Sequence, residues 1–181
     1  FSGKAVAVRS SALDEDGTAA SFAGLHESFI NIRGIESILK HIRLVWASLW
    51  SDAALLYRQE IGLSVEKSAM AVVVQEVVAG DRSGVAFTIS PVASSQGVIE
   101  SVHGMNQGLV DGIVEPDRWI MDRRTREIIS HTPVLRHHWL VPGKNGVRKA
   151  PLPRDMSLHP PLNPQEVRAV FDTAMRAEEF F

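Results

Sequence analysis

The chain has 181 residues, 45% of them hydrophobic and 22% charged, the balance of a globular protein that buries one sizeable core or two small ones. Nineteen Lys and Arg stand against 21 Asp and Glu, so neither nucleic acid nor an anionic membrane is an expected partner. The lack of Cys excludes disulfides and thiolate metal centres and leans toward a cytoplasmic protein; no apolar run approaches the roughly 20 residues that span a bilayer, and the first residues do not read as a signal peptide.

In chain order, Lys4 to Ser10 alternates as a half-buried strand, and the Ser, Asp, Gly and Thr cluster that follows marks a long loop. Phe29 to Ile32 is short enough for one more strand. From Gly34, the apolar residues Ile35, Ile38, Leu39, Ile42, Val45, Trp46 and Leu49 fall at helical spacing opposite Lys40, His41 and Arg43, which predicts an amphipathic helix with Trp46 and Trp50 in packing roles. Ser51 and Asp52 cap a second helix over 53–62, closed by Gly62. The β-branched run MAVVVQEVVAG, 70–80, reads as a strand buried on both faces, and DRSG, turning around Gly84, then makes a hairpin with GVAFTIS. GVIESVHG and RWIMDRRTREIISHT read as further strands, the latter folded into a hairpin at 123–126. The Pro- and Gly-rich stretch 142–164 reads as a surface excursion, and Asn163 with Pro164 opens a last helix over 165–181. Mixed strands and helices without regular alternation argue an α+β class. The start on Phe1 and the unfinished helical pattern at MRAEEFF suggest a fragment of a longer polypeptide.

The stretch VRSSALDEDGTAASFAGLHES, 8–28, carries the candidate chemistry. Arg9 ends a strand and faces a loop of Ser10, Ser11, Thr18, Ser21 and Gly24, which sets a planar fork of donors beside unobstructed main-chain N–H groups, the parts of a phosphate cradle. The competing explanation is a solvated loop in which Arg9 pairs with Asp14, Glu15 or Asp16. The spacing is that of neither a P-loop nor a dinucleotide fingerprint, so the residues alone support an anion site and nothing narrower. The adjacent His137 and His138 would point to opposite faces of a strand and so do not readily share a metal.

RSSALDEDGTAASFAG resembles the signature of the nucleotide-binding domain of the pyruvate phosphate dikinase and phosphoenolpyruvate synthase family. WASLWSDAALLYR, MAVVVQEVV, the GVAFT arm and VEPDRW resemble that family's later blocks in the same order, over roughly residues 5–119. The resemblance implies an ATP-grasp fold, here partial over 1–181, with a phosphate-loop and helical part at 1–65 and a sheet-rich lobe with the adenine hinge at 66–181. It implies ATP and Mg²⁺ as cofactors and places Arg9 on the ATP phosphates, as the catalytic cation. Ser21, Gly24 and Ser28 would lie around the triphosphate, and Gln75, Glu76 and Val77 would form the hinge strand that reads adenine. The implied reaction passes a phosphoryl group from ATP to a histidine on another domain and then to pyruvate, so pyruvate and phosphoenolpyruvate would be met through other domains of the parent chain; oligomeric state is left open. The family's magnesium acid and a second phosphate arginine would lie beyond residue 181. Departures are GMNQ, 104–107, where the family carries Gly-Leu-Gly-Glu, and Ser90 where an aspartate is common. They motivate a second expectation, a nucleotide-binding module without turnover; a third is a related dikinase acting on an antibiotic or a glucan.

Overall fold

The computed structural model describes residues 3–12, 25–66, 68–78, 80–144 and 146–180. They form two compact units, residues 1–78 with 142–147, and residues 79–141 with 148–181.

In the first unit, β1 (Val6–Ala12), β2 (Ser28–Ile32) and β3 (Met70–Glu76) make an antiparallel sheet in the order β2-β1-β3. The alternation of β1 sends Val6 and Val8 into a core with Ile32, Ile38 and Val45, against which Phe29, Ile42, Val72 and Val74 pack. Ile38, Ile42 and Val45 come from α1 (Ile35–Ser48), so the helix covers one face of the sheet. A second helix, α2 (Asp52–Glu60), is capped by the Ser51 hydroxyl, which accepts from the Ala54 amide at 3.3 Å, as the sequence predicts. Trp46 and Trp50 are not core residues. They are 49% and 51% exposed, and Trp46 is held instead by an indole N–H donated to the Met70 carbonyl at 3.1 Å.

Two expectations for MAVVVQEVV fail. β3 pairs with β1 and not with GVAFTIS, and it lies in the first unit. It is also buried on one face only, with Ala71, Val73 and Gln75 exposed. Valine favours extended backbone whether or not its side chain is covered, so a run of valines cannot distinguish the two cases.

The β1–β2 register slips by one residue at Asn31, whose φ is 61°. Asn tolerates the left-handed region better than other residues with a Cβ. Its buried side-chain amide donates to the carbonyls of Gly143 at 2.9 Å and Gly146 at 2.6 Å, which seats these two glycines on the bulge.

In the second unit, β4 (Arg82–Phe87), β5 (Gln96–His103), β6 (Asp117–Asp122) and β7 (Ile128–Thr132) form an antiparallel meander. A short helix, α3 (Gln107–Val110), lies between β5 and β6. The expected surface excursion contains regular structure, since β8 (His138–Pro142) pairs with β9 (Val147–Pro151) and α4 (Arg154–Ser157) follows. The last helix, α5 (Pro164–Glu178), starts in a capping box between Asn163 and Glu166 and packs Val167 and Phe171 on Ile99, Trp119 and Met121. Gly84 does not turn the chain; it sits inside β4, where a Cβ would stand 2.3 Å from the Glu100 carbonyl oxygen. Gly97 on β5 is equally constrained, since a Cβ there would lie 2.3 Å from the Phe171 ring.

Gly97→Ala is therefore expected to destabilise the fold by about 1–3 kcal/mol through overpacking, read as a lowered urea midpoint at unchanged m. A second expectation concerns α5. The Asn163 backbone N–H, and then the Arg82 side chain, hold the Glu166 carboxyl below its ordinary value of 4.5. A carboxyl lowered on folding contributes stability above its unfolded value that is lost as pH falls through its folded value. Stability should thus decline below about pH 4.5, and Glu166→Gln should flatten that decline in urea titrations from about pH 6 down to about pH 3.

Candidate functional site

The face of the first unit's sheet opposite α1 is the candidate site. On β1 the residues out of phase with Val6 and Val8 are Ala7, Arg9 and Ser11. Arg9 is exposed and lies directly opposite Ser28 on β2 and Val73 on β3. Gln75, opposite Ala7, is two residues along β3 from Val73 and so shares its face. Three residues that the sequence separates by 66 positions at most thus occupy one open surface, with the guanidinium of the central strand flanked by a hydroxyl. Arg9 takes part in no ion pair among the described residues. Ser21, Gly24 and the acids 14–16 that would pair with Arg9 lie outside them.

Glu76 and Val77 are placed differently. Glu76 is in phase with Val74, on the α1 side, and its carboxylate pairs with Lys4 at 2.8 Å, both side chains about half exposed. The Val77 amide donates to the Ala5 carbonyl at 3.0 Å, so that N–H is engaged within the sheet. Because hydrogen-bonding direction alternates along an antiparallel strand, the main-chain groups of residues 71, 73, 75 and 77 turn toward β1, and those of Glu76 and Val78 turn to the outer edge. No strand covers that edge among the described residues.

In the second unit, VEPDRW builds a buried ionic cluster. Asp117 is 1% exposed. One carboxylate oxygen pairs with the buried Arg136 guanidinium, and the other lies 2.7 Å from His131 Nε2. Arg136 also donates from Nε to the Glu115 carbonyl at 3.2 Å, and the His131 ring stacks on Trp119 with centroids 4.5 Å apart and planes 2° from parallel. The sequence offers no local cue for this cluster, because Arg136 is 19 residues from Asp117 and only the β6–β7 register brings His131 beside Trp119. A carboxylate so enclosed ties the start of β6 to Arg136 and His131 and is shielded from solvent. Of the departures, Ser90 is buried, and its hydroxyl accepts from the Val92 amide at 3.2 Å. Gln107 opens α3, just after Gly104, where a Cβ would stand 2.3 Å from the Leu140 carbonyl oxygen. No three His, Asp or Glu stand close enough to hold a metal ion among the described residues, and no helix there is long and apolar enough to cross a membrane.

Comparison with known proteins gives this geometry its family. Residues 2–181 match the family described as pyruvate phosphate dikinase, AMP/ATP-binding domain. The chain belongs to that family. It is 34% identical over 179 residues to a probable phosphoenolpyruvate synthase of Methanocaldococcus jannaschii, covering 97% of this chain and 15% of the relative. It is 44% identical over 126 residues to a phosphoenolpyruvate synthase of Aeropyrum pernix, covering 68% and 15%, and 35% identical over 182 residues to a rifampicin phosphotransferase of Streptomyces sviceus, covering 98% and 20%. The chain thus spans about a seventh to a fifth of the length of these relatives.

Truncating Arg136 to Ala would leave the Asp117 carboxylate buried beside only a partly exposed imidazole, which is expected to cost about 3–5 kcal/mol in chemical denaturation of the second unit. Asp117→Ala with Arg136→Met, which removes both charges, should recover part of that loss.

Proposed function

We propose that the open sheet face of the first unit binds ATP, as the nucleotide-binding part of an ATP-dependent phosphotransferase with an ATP-grasp fold. The observation that carries the reading is the shared face of Arg9, Ser28 and Gln75, in a chain whose family is an AMP/ATP-binding domain. Arg9 is the cation for the triphosphate, since a guanidinium offers a planar, permanently charged fork to phosphate oxygens. Phosphoryl transfer asks chiefly for such positioned charge. Ser28 adds a hydroxyl beside it, and the loop residues Ser21 and Gly24 remain part of the proposed cradle. The exposed Val73 and Ala71, unexplained as core residues, supply an apolar floor for a flat base.

The base itself is read at the outer edge of β3. With the Val77 amide given to Ala5, the Glu76 carbonyl is left to accept from an exocyclic amine and the Val78 amide to donate to a ring nitrogen. Adenine presents that pair on one edge; guanine presents the reverse order. Magnesium belongs to the same reading through its family, and no step is assigned to it, because the described residues offer no acid cluster for it.

The proposed acceptor is pyruvate, in keeping with the synthase relatives' names, by way of a histidine on another part of a longer polypeptide, as the family resemblance implies. Rifampicin is the comparison acceptor, from the phosphotransferase relative.

The tests use the full-length protein. Arg9→Ala should weaken ATP binding by about 1.5–3 kcal/mol, the usual size of a charged hydrogen bond, in calorimetric titration with Tm nearly unchanged; a large fall in Tm with ATP affinity intact would assign Arg9 to a structural ion pair instead. Val78→Pro, which removes the outward N–H, should lower ATP affinity and narrow the preference for ATP over GTP, whereas unchanged discrimination would move the base elsewhere. Phosphate release that rises with pyruvate, and not with rifampicin, identifies the acceptor.

A further inference from the structure

β2 reads SFINI over Ser28–Ile32, and that pattern fits the core in two registers. A regular strand continuing the Val6–Ile32 pair would set Ile30 beside Ile32 on the α1 side and turn Phe29 to the open face, opposite Arg9. The observed strand takes the other course. Its register moves by one residue between Val6 and Val8, so that Phe29 pairs with Val8, packs on the core with Ile32, and leaves Ser28 opposite Arg9. Ile30, half-buried, then falls on the open face. Either register gives the core two large apolar side chains, and burial of Ile or of Phe contributes on the same scale. The sharp difference lies at the guanidinium, which has a hydroxyl for its neighbour in one register and a phenyl ring in the other.

One residue holds the bulged register. Asn31 is 1% exposed, with φ 61°. Its Nδ2 donates to the Gly143 and Gly146 carbonyls, and its own carbonyl accepts from the Gly146 amide at 3.2 Å. Its Oδ1, equally buried, has no partner among the described residues. Glycine would adopt the same φ without strain and would bury no unpaired oxygen, which costs stability. What asparagine adds over glycine is therefore the pair of donors. Flattening the bulge would swing them off both carbonyls, so the two bonds favour the bulged register over the regular one. Bulges beside functional sites commonly re-aim a side chain in this way.

We propose that Asn31 is a positioning residue for the ATP site: by holding the bulge it keeps the Ser28 hydroxyl, and not the Phe29 ring, beside Arg9. This role rests on the ATP reading of the open face, which Arg9→Ala tests by itself.

The full-length protein is titrated with ATP by calorimetry at a temperature where each variant is folded, so that lost stability alone does not move the affinity. Asn31→Ala, which removes the donors and disfavours the left-handed φ, should weaken ATP binding about tenfold, and Asn31→Gly, which removes the donors alone, about threefold. Phe29→Ser separates positioning from mere destabilisation. In the parent it deletes a core ring and should lower Tm; combined with either Asn31 substitution it places a hydroxyl opposite Arg9 in the regular register and should restore ATP affinity to within about twofold of the parent. Unchanged affinity in the Asn31 variants, or a Phe29→Ser that fails to reverse their loss, overturns the role while Arg9→Ala still weakens binding. Arg9→Ala without effect removes the ATP reading itself, and the role with it. Where Asn31→Ala does not fold, Asn31→Gly with and without Phe29→Ser decides.

Discussion

The period-two alternation of β1 is the constraint from which the rest of the first unit follows. Val6 and Val8 must face α1, and the pleat then turns Ala7, Arg9 and Ser11 the other way. A slip of one residue would bury the guanidinium and expose the core. The partner strand creates a difficulty, because Phe29 and Ile32 both pack in that core although they are three positions apart, and a regular strand would send them to opposite faces. The bulge at Asn31 resolves it by absorbing one residue in the left-handed region. The same bulge sets what stands opposite Arg9. An uninterrupted register from the Val6–Ile32 pair would place Phe29 there; the observed one places Ser28. Core packing and the polar character of the open face are thus settled by one backbone irregularity, which Asn31 anchors through its bonds to Gly143 and Gly146.

What the sequence made legible divides along the range of the interactions. Helices α1, α2 and α5 and the caps Ser51 and Asn163 were readable because their signals lie within a turn or two of the residues they govern. Arg9 was readable as the polar end of an alternating run. The resemblance brings Ser28 to the same triphosphate as Arg9 but assigns Gln75 to the hinge strand; that all three share one face is a matter of register between strands far apart in the chain. The misreading of MAVVVQEVV has the same origin: the residues declare extended backbone, and only the fold decides that β3 joins β1 and leaves Val73 uncovered.

The second unit shows why an ordered block of family-like residues need not be a row of ligand contacts. VEPDRW is one of the blocks that resemble the family, yet Asp117 within it is enclosed by Arg136 and His131. A carboxylate removed from water is tolerable only with such partners. Arg9 contrasts with it, being exposed, central in its sheet and without an ion pair among the described residues, in a place where the fold itself gains little from a charge.

The main-chain reading of a base proposed for the outer edge of β3 has a further consequence. The direction of the Glu76 carbonyl and the Val78 amide is set by the ladder with β1, and the Val77–Ala5 bond fixes its phase up to the last pairing. Side-chain identity at 76 is then free to serve another purpose, and here the carboxylate is drawn to Lys4 on the opposite face. Under the proposed reading, base selection depends on the same alternation that holds Val6 and Val8 in the core. A register error would lose fold and specificity together, whereas substitution of the Glu76 side chain alone would leave the pattern of donor and acceptor in place.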